Sequence, residues 1–156
     1  MRTKLILALM CAHTLPLLAA APADFHGVWQ FNAAKSKNIG MMSEMTIAAT
    51  VAQTPSTLTV TYESTFGDRK DKSEARFDLN GKPMANQSQM AGPSETVTHW
   101  SEAELVNTWT SEGAVAGTKV TRTETWALSA DGTTLTVTSR RGTAAPVVVV
   151  YDRRRQ

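Results

Sequence analysis

A chain of 156 residues, 42% hydrophobic and 19% charged, has the size of one domain and is too evenly charged for a disordered tail. One cysteine excludes a disulfide framework or a cysteine-based zinc cluster, and no apolar run reaches the roughly 18 residues of a membrane-spanning helix. The formal charge of +2 comes from 16 Lys and Arg against 14 Asp and Glu, and its source is local.

That source is the N-terminus. Arg2 and Lys4 form a short positive region, an apolar stretch follows from Leu5 to about Leu18, and LLAAAPA ends in small residues. Ala21-Pro22-Ala23 supplies the A-x-A pattern that signal peptidase reads. Cleavage after Ala23 is favoured over cleavage after Ala21, which would leave Pro22 at the first mature position. Residues 1–23 are therefore expected to be a signal peptide and 24–156 a single exported domain, periplasmic or secreted. A lipoprotein anchor at Cys11 is disfavoured because Met10 sits where a small residue is wanted; the remaining alternative is a buried N-terminal helix. With Arg2 and Lys4 removed, basic and acidic residues number 14 each, which takes away the electrostatic case for nucleic-acid binding.

From residue 24 onward the chain reads as strands. Period-two alternation and Thr/Val enrichment recur between turn signals. TLTVTY (57–62) puts Leu58, Val60 and Tyr62 on one face, ARFDL (75–79) groups Ala75, Phe77 and Leu79, and TLTVT (134–138) aligns Leu135 with Val137. The turns fall at Thr54-Pro55-Ser56, Gly67-Asp68, Asn80-Gly81, Gly92-Pro93, Ser101 to Ala103, Gly113 to Gly117, Asp131-Gly132 and Gly142 to Ala145. Asn-Gly and Asp-Gly supply the positive φ of two-residue hairpins. The spacing predicts ten strands near 26–31, 44–53, 57–65, 71–79, 82–90, 94–100, 104–111, 118–128, 133–140 and 146–153, with room for a short helix only between Ala33 and Met42. An even count with turns every ten to sixteen residues predicts an all-β, antiparallel up-and-down β-barrel of about 8–10 strands. Closure would protect PVVVV (146–150), otherwise an exposed sticky edge.

The opening DFHGVWQFNAAKS, with Gly27-Val28-Trp29, resembles the first strand of the calycins, the lipocalin and fatty-acid-binding-protein superfamily. Together with ETWALSADGTTLTVT (124–138) and the ending VVYDRR, it is similar to small secreted bacterial lipocalin-like proteins of unassigned function. The ten-strand count is closer to the fatty-acid-binding branch. The resemblance implies that Trp29 packs across the barrel bottom near Arg153 or Arg154. Two family features do not carry over. The last-strand Arg-x-Tyr that anchors a carboxylate falls on Val149 and Tyr151, so the arginine is missing. Residues 32–43 are too few for a two-helix lid.

No catalytic constellation stands out. His26 and His99 lack metal-ligand spacing, GxSxG is absent, and DRKDKSE (68–74) lacks a calcium-loop glycine, so neither catalysis nor a metal or cofactor is expected. The eighth strand, KVTRTETWAL (119–128), is more informative: Val120, Trp126 and Leu128 form an apolar face, and period two puts Arg122 and Glu124 on it. Inward charged groups orient a ligand's polar end. Arg122 is thus the leading ligand-orienting cation, with Tyr151 as hydroxyl partner and Glu124, Trp109 and Trp126 completing the candidate binding set. The competing reading leaves Arg122 and Glu124 paired in water and the tryptophans as core. Met41, Met42 and Met45 either gate the mouth or pack where the second strand begins; Arg153-Arg154-Arg155 are expected to shield the last strand.

Two functions follow. One is an exported barrel binding a small apolar or amphipathic ligand without catalysis. The other is a filled barrel whose surface engages a protein partner of the cell envelope. Bulky inward Tyr62, Phe77, Trp109 and Trp126 would favour the second. The oligomeric state is not legible.

Overall fold

The structure, a computed structural model, describes residues 22–88 and 92–154. The expected signal segment, the end of the strand expected over 82–90, and Arg155 lie outside the described residues, apart from Pro22 and Ala23. Ten strands follow in order: β1 Gly27–Phe31, β2 Thr46–Gln53, β3 Thr57–Phe66, β4 Arg69–Asp78, β5 Met84–Ser88, β6 Gly92–Ser101, β7 Glu104–Glu112, β8 Lys119–Leu128, β9 Thr134–Arg140 and β10 Val147–Arg153. All pair antiparallel in one sheet, ordered β4-β3-β2-β1-β10-β9-β8-β7-β6-β5. The barrel is all-β and meandering, as the alternation predicts.

β1 joins the two chain ends by pairing with both β2 and β10. PVVVV therefore lies inside the sheet, with β9 on its other side. Shielding by the terminal arginines is corrected on this point: β10 has no free edge to shield. Beyond Phe31 the chain keeps following β10 through Asn32 N to Val150 O and the Lys37–Val148 bridge, and Ser36 Oγ accepts from Val150 N. Two short 3₁₀ segments, Ala33–Lys35 and Gly40–Glu44, stand in place of any lid.

The barrel is nearly closed. The order ends at β4 and β5, which share no ladder among the described residues. β5 is only five residues long, and Pro83 has no N–H with which to extend it towards Gly81. The Asn86 amide spans the gap as a surrogate peptide group: its Oδ1 accepts from Arg76 N at 2.8 Å, and its Nδ2 donates to Arg76 O at 2.8 Å and Thr96 Oγ1 at 3.1 Å. Asn86→Ala should cost about 1–2 kcal/mol and speed amide exchange at Arg76 far more than in β2 or β9. Uniform exchange across β4 and β9 would show that this bridge does not hold the gap.

The two-residue hairpins differ from expectation. They are Gly67-Asp68, where Phe66 faces Arg69, and Glu102-Ala103, where Ser101 faces Glu104. At Asn80-Gly81 and Asp131-Gly132 only the glycines take positive φ, within longer connections. In the second of these, hydrogen bonds from Ser129 and Thr133 pull the Asp131 carboxyl down to about 2.

The end carrying the β2–β3, β6–β7 and β8–β9 turns is packed solid. Trp29, Phe25, Leu58, Val60, Leu105, Trp126 and Leu135 are essentially inaccessible there. Arg153 lies over the Trp29 ring at 4.2 Å and donates to the carbonyls of His26, Asp24 and Gly132. Of the two arginines that the calycin resemblance offered, Arg153 is therefore the one on Trp29; Arg154 bonds Gln30. Gly27, at φ +134° with its missing Cβ position 3.0 Å from Arg153 Nη1, leaves that guanidinium its room.

Candidate ligand chamber

Period two fixes which side chains point inward, and their accessibility changes in one direction along many of the strands. On β3 the inward series runs Leu58 and Val60, both inaccessible, then Tyr62 and Ser64, both partly open. On β4, reading towards the same end, it runs Phe77, Ala75, Ser73; on β7, Leu105, Asn107, Trp109, Ser111; on β9, Leu135, Val137, Ser139. Every series starts dry and aliphatic or aromatic and ends in a partly open serine. The barrel is therefore closed at one end and solvent-reachable at the other.

An aromatic column fills the closed half. Trp100 stacks on Phe25, Phe25 meets Trp126 edge-on, Trp126 meets Phe77, and Phe77 meets Trp109, with ring centroids 5.7–6.0 Å apart. Such pairs add about 0.5–1.5 kcal/mol each beyond the area they bury. Trp109 tops this column, and the Arg122 guanidinium lies 4.8 Å from its ring centre.

Above it sits a polar cluster. β8 runs in unbroken register against β7, pairing Arg122 with Trp109 and Glu124 with Asn107, so no bulge reverses its faces. Arg122 and Glu124 both point inward, as period two requires. Their side chains are 28% and 14% accessible, and Arg122 Nη2 lies 3.4 Å from Glu124 Oε1. The reading that leaves the pair free in water is thus set aside. Glu124 Oε2 accepts from Trp109 Nε1 at 2.8 Å, and Oε1 accepts from Ser139 Oγ at 3.3 Å. The ion-pair partner of Arg122 is Glu124.

Tyr151, buried against Phe31, and Tyr62 on the opposite wall complete the cluster. Burial, then Glu124, raises the Tyr151 phenol well above its ordinary value. Burial, Tyr151 and Glu124 raise Tyr62 in the same direction, with Arg122 opposing. Both rings stay neutral at ordinary pH and serve as hydroxyls, not phenolates.

The five candidate residues therefore divide by depth. Arg122, Glu124, Trp109 and Tyr151 meet at the floor of the open half. Trp126 lies deeper, within the aromatic column. Of the methionines, Met42 and Met45 pack against the core beside Ile39, whereas Met41 is 79% accessible. His26 and His99 are exposed. Sequence reasoning missed Tyr62 as a member of the cluster, Asn107 opposite Glu124, and the serines. The usable signal was the inward register of each strand carried past its last apolar residue.

Two surface concavities lie elsewhere. One of about 520 Å³ runs along β5, β6 and β7 beside Pro83, Ala85, Glu95, Thr110 and Lys119. Another of about 440 Å³ sits outside the closed end, between Glu102, Glu104 and Leu128. Neither includes Arg122, Glu124 or either tyrosine of the cluster.

No protein-family model and no curated protein matches the sequence. Solved structures do match the fold. The fluorescent protein UnaG superposes with a TM-score of 0.64 at 17% identity, over 83% of this chain and 97% of its own. A fatty acid transporter, REP1-NXSQ, gives 0.66 at 10% identity over 84% and 96%. A fatty acid binding protein from Schistosoma mansoni, solved with arachidonic acid, gives 0.63 at 20% identity over 84% and 96%. At these identities the likeness establishes the fatty-acid-binding-protein-like barrel fold.

Proposed function

We propose that this chain is an exported, non-catalytic carrier that holds a small amphipathic molecule in the open half of its barrel. One observation carries the reading: the inward faces turn from dry and apolar to open and polar around Arg122, Glu124, Tyr62 and Tyr151. An apolar portion would lie against Phe31, Val137, Val147 and Trp109, and the polar portion against the charged pair and the two phenols. The transporter and the arachidonic-acid complex among the neighbours support a ligand with an apolar portion.

The aromatic column favours a second reading, in which the interior is packing and the outer surface engages an envelope protein. Native mass spectrometry, with solvent extraction, of the chain purified from its own cell envelope separates the two. The carrier reading expects an intact mass beginning at Asp24 and a near-stoichiometric small molecule that is lost in Arg122→Ala. A clean apo mass, unshifted by a panel of lipids and apolar probes, would leave the filled barrel.

A further inference from the structure

The carrier reading leaves open the chemistry of the ligand's head, and the hydrogen-bond inventory of the chamber narrows it. Three buried side-chain polar atoms have no partner among the described residues: Asn107 Nδ2, Arg122 Nε and Trp126 Nε1. All three are N–H donors. Asn107 and Trp126 are 0% and 1% accessible, so bulk water does not serve them from outside. The acceptors nearby are already engaged. Asn107 Oδ1 accepts from Thr98 Oγ1 at 2.7 Å, and both Glu124 oxygens face donors. At the level of the charged pair the unmet donors are Arg122 Nε and, opposite Glu124, Asn107 Nδ2, whereas Trp126 Nε1 lies below them in the aromatic column.

Charge narrows the choice further. Arg122 is balanced by Glu124 at 3.4 Å, so the pair is neutral as a unit. A ligand carboxylate reaching Arg122 would put a second anion beside Glu124, and like charges at such range cost several kcal/mol. An ammonium head would find a guanidinium and no spare carboxylate oxygen. Tyr62, Tyr151, Ser111 and Ser139 add neutral hydroxyls at inward positions of the neighbouring strands.

Resting on the carrier reading, we propose that the chamber selects an uncharged head rich in acceptor oxygens, such as an ester, ketone or amide carbonyl, over a free carboxylate. Arg122 then works as a donor of N–H groups held in place by Glu124, and Glu124 is the specificity-determining residue that turns carboxylates away.

The test compares methyl dodecanoate with dodecanoate at pH 7.5, below micellar concentrations, following tryptophan fluorescence in the wild-type chain and in Glu124→Gln. The wild type should bind the ester at least about tenfold more tightly than the carboxylate. Glu124→Gln, which keeps an acceptor for Trp109 but removes the anion, should shift the ratio of the two affinities about tenfold towards dodecanoate. The change in the ratio is decisive, because the ester's extra hydrophobicity is common to both proteins. Tighter binding of dodecanoate by the wild type overturns the inference and spares the carrier reading, as does a ratio unmoved in a Glu124→Gln protein with native circular dichroism. Absence of binding by either probe overturns both. Should Glu124→Gln not fold, Glu124→Asn, equally uncharged, takes its place, and a ratio unmoved in that folded protein overturns the inference.

Discussion

Trp29→Ala is expected to lower the unfolding free energy by about 3–5 kcal/mol. A domain of this size has only about 5–15 kcal/mol to lose, so the variant should unfold near ordinary growth temperatures. The indole is 0% accessible and its Nε1 donates to Phe25 O at 2.9 Å. That bond ties the incoming segment to the barrel floor, where Phe25 in turn contacts Trp100 and Trp126. Truncation therefore opens a cavity, strands a buried carbonyl and loosens the base of the aromatic column together. Arg153→Ala should cost less, about 1–2 kcal/mol, since the cation–π contact and the three carbonyl contacts lie at the rim of the floor. Urea titrations of the two variants check both values. A loss below 1 kcal/mol for Trp29→Ala would mean that the floor does not fold as one unit with the rest of the barrel.

The contrast between Trp29 and β6 shows what a sequence of this kind conveys. In β3, β4 and β9 the inward residues are aliphatic or aromatic at the closed end while many of their outward neighbours are threonine or charged, so alternation marks both the strand and its face. In β6 the contrast inverts. Thr96 and Thr98 are buried inward, while Val97 is half-buried and His99 exposed. Thr98 can sit inside only because Asn107 on β7 receives its hydroxyl, a match made across strands and invisible along one of them. The gap between β4 and β5 is hidden for a similar reason: it depends on a short β5 and on one amide, Asn86, reaching Arg76. Placing Arg153 over Trp29 needed knowledge of how chain ends meet in this fold, which the family resemblance supplied and local pattern could not. The inward placement of Arg122 and Glu124 was legible because β8 keeps strict period two from Val120 to Leu128. Their pairing with each other was less so, since in a regular strand residues two apart share a face without necessarily touching.

That pairing leads to the second large effect, in a double-mutant cycle on β8. Glu124→Leu alone leaves the Arg122 guanidinium and Trp109 Nε1 facing no acceptor. It should cost about 2–4 kcal/mol, somewhat less than a fully buried broken pair because water reaches 28% of the Arg122 side chain. Arg122→Met alone leaves the carboxylate with its Trp109 and Ser139 donors and should cost about 1–2 kcal/mol. Replacing both should bring the loss back to about 1–2 kcal/mol, because the stranded guanidinium has gone while Trp109 Nε1 still lacks the acceptor that Glu124 gave it. Urea unfolding of the four proteins at neutral pH gives the coupling directly. Additive single effects would mean the two charges are held apart by water and act independently. Strong coupling with a stable double variant carries a functional consequence: a charged pair that the fold can dispense with is retained inside the barrel for what it meets there. The same double variant should then fold with most of the wild-type stability yet bind methyl dodecanoate at least about tenfold more weakly, since the guanidinium donors proposed to meet the ligand's oxygen have gone while the apolar walls remain.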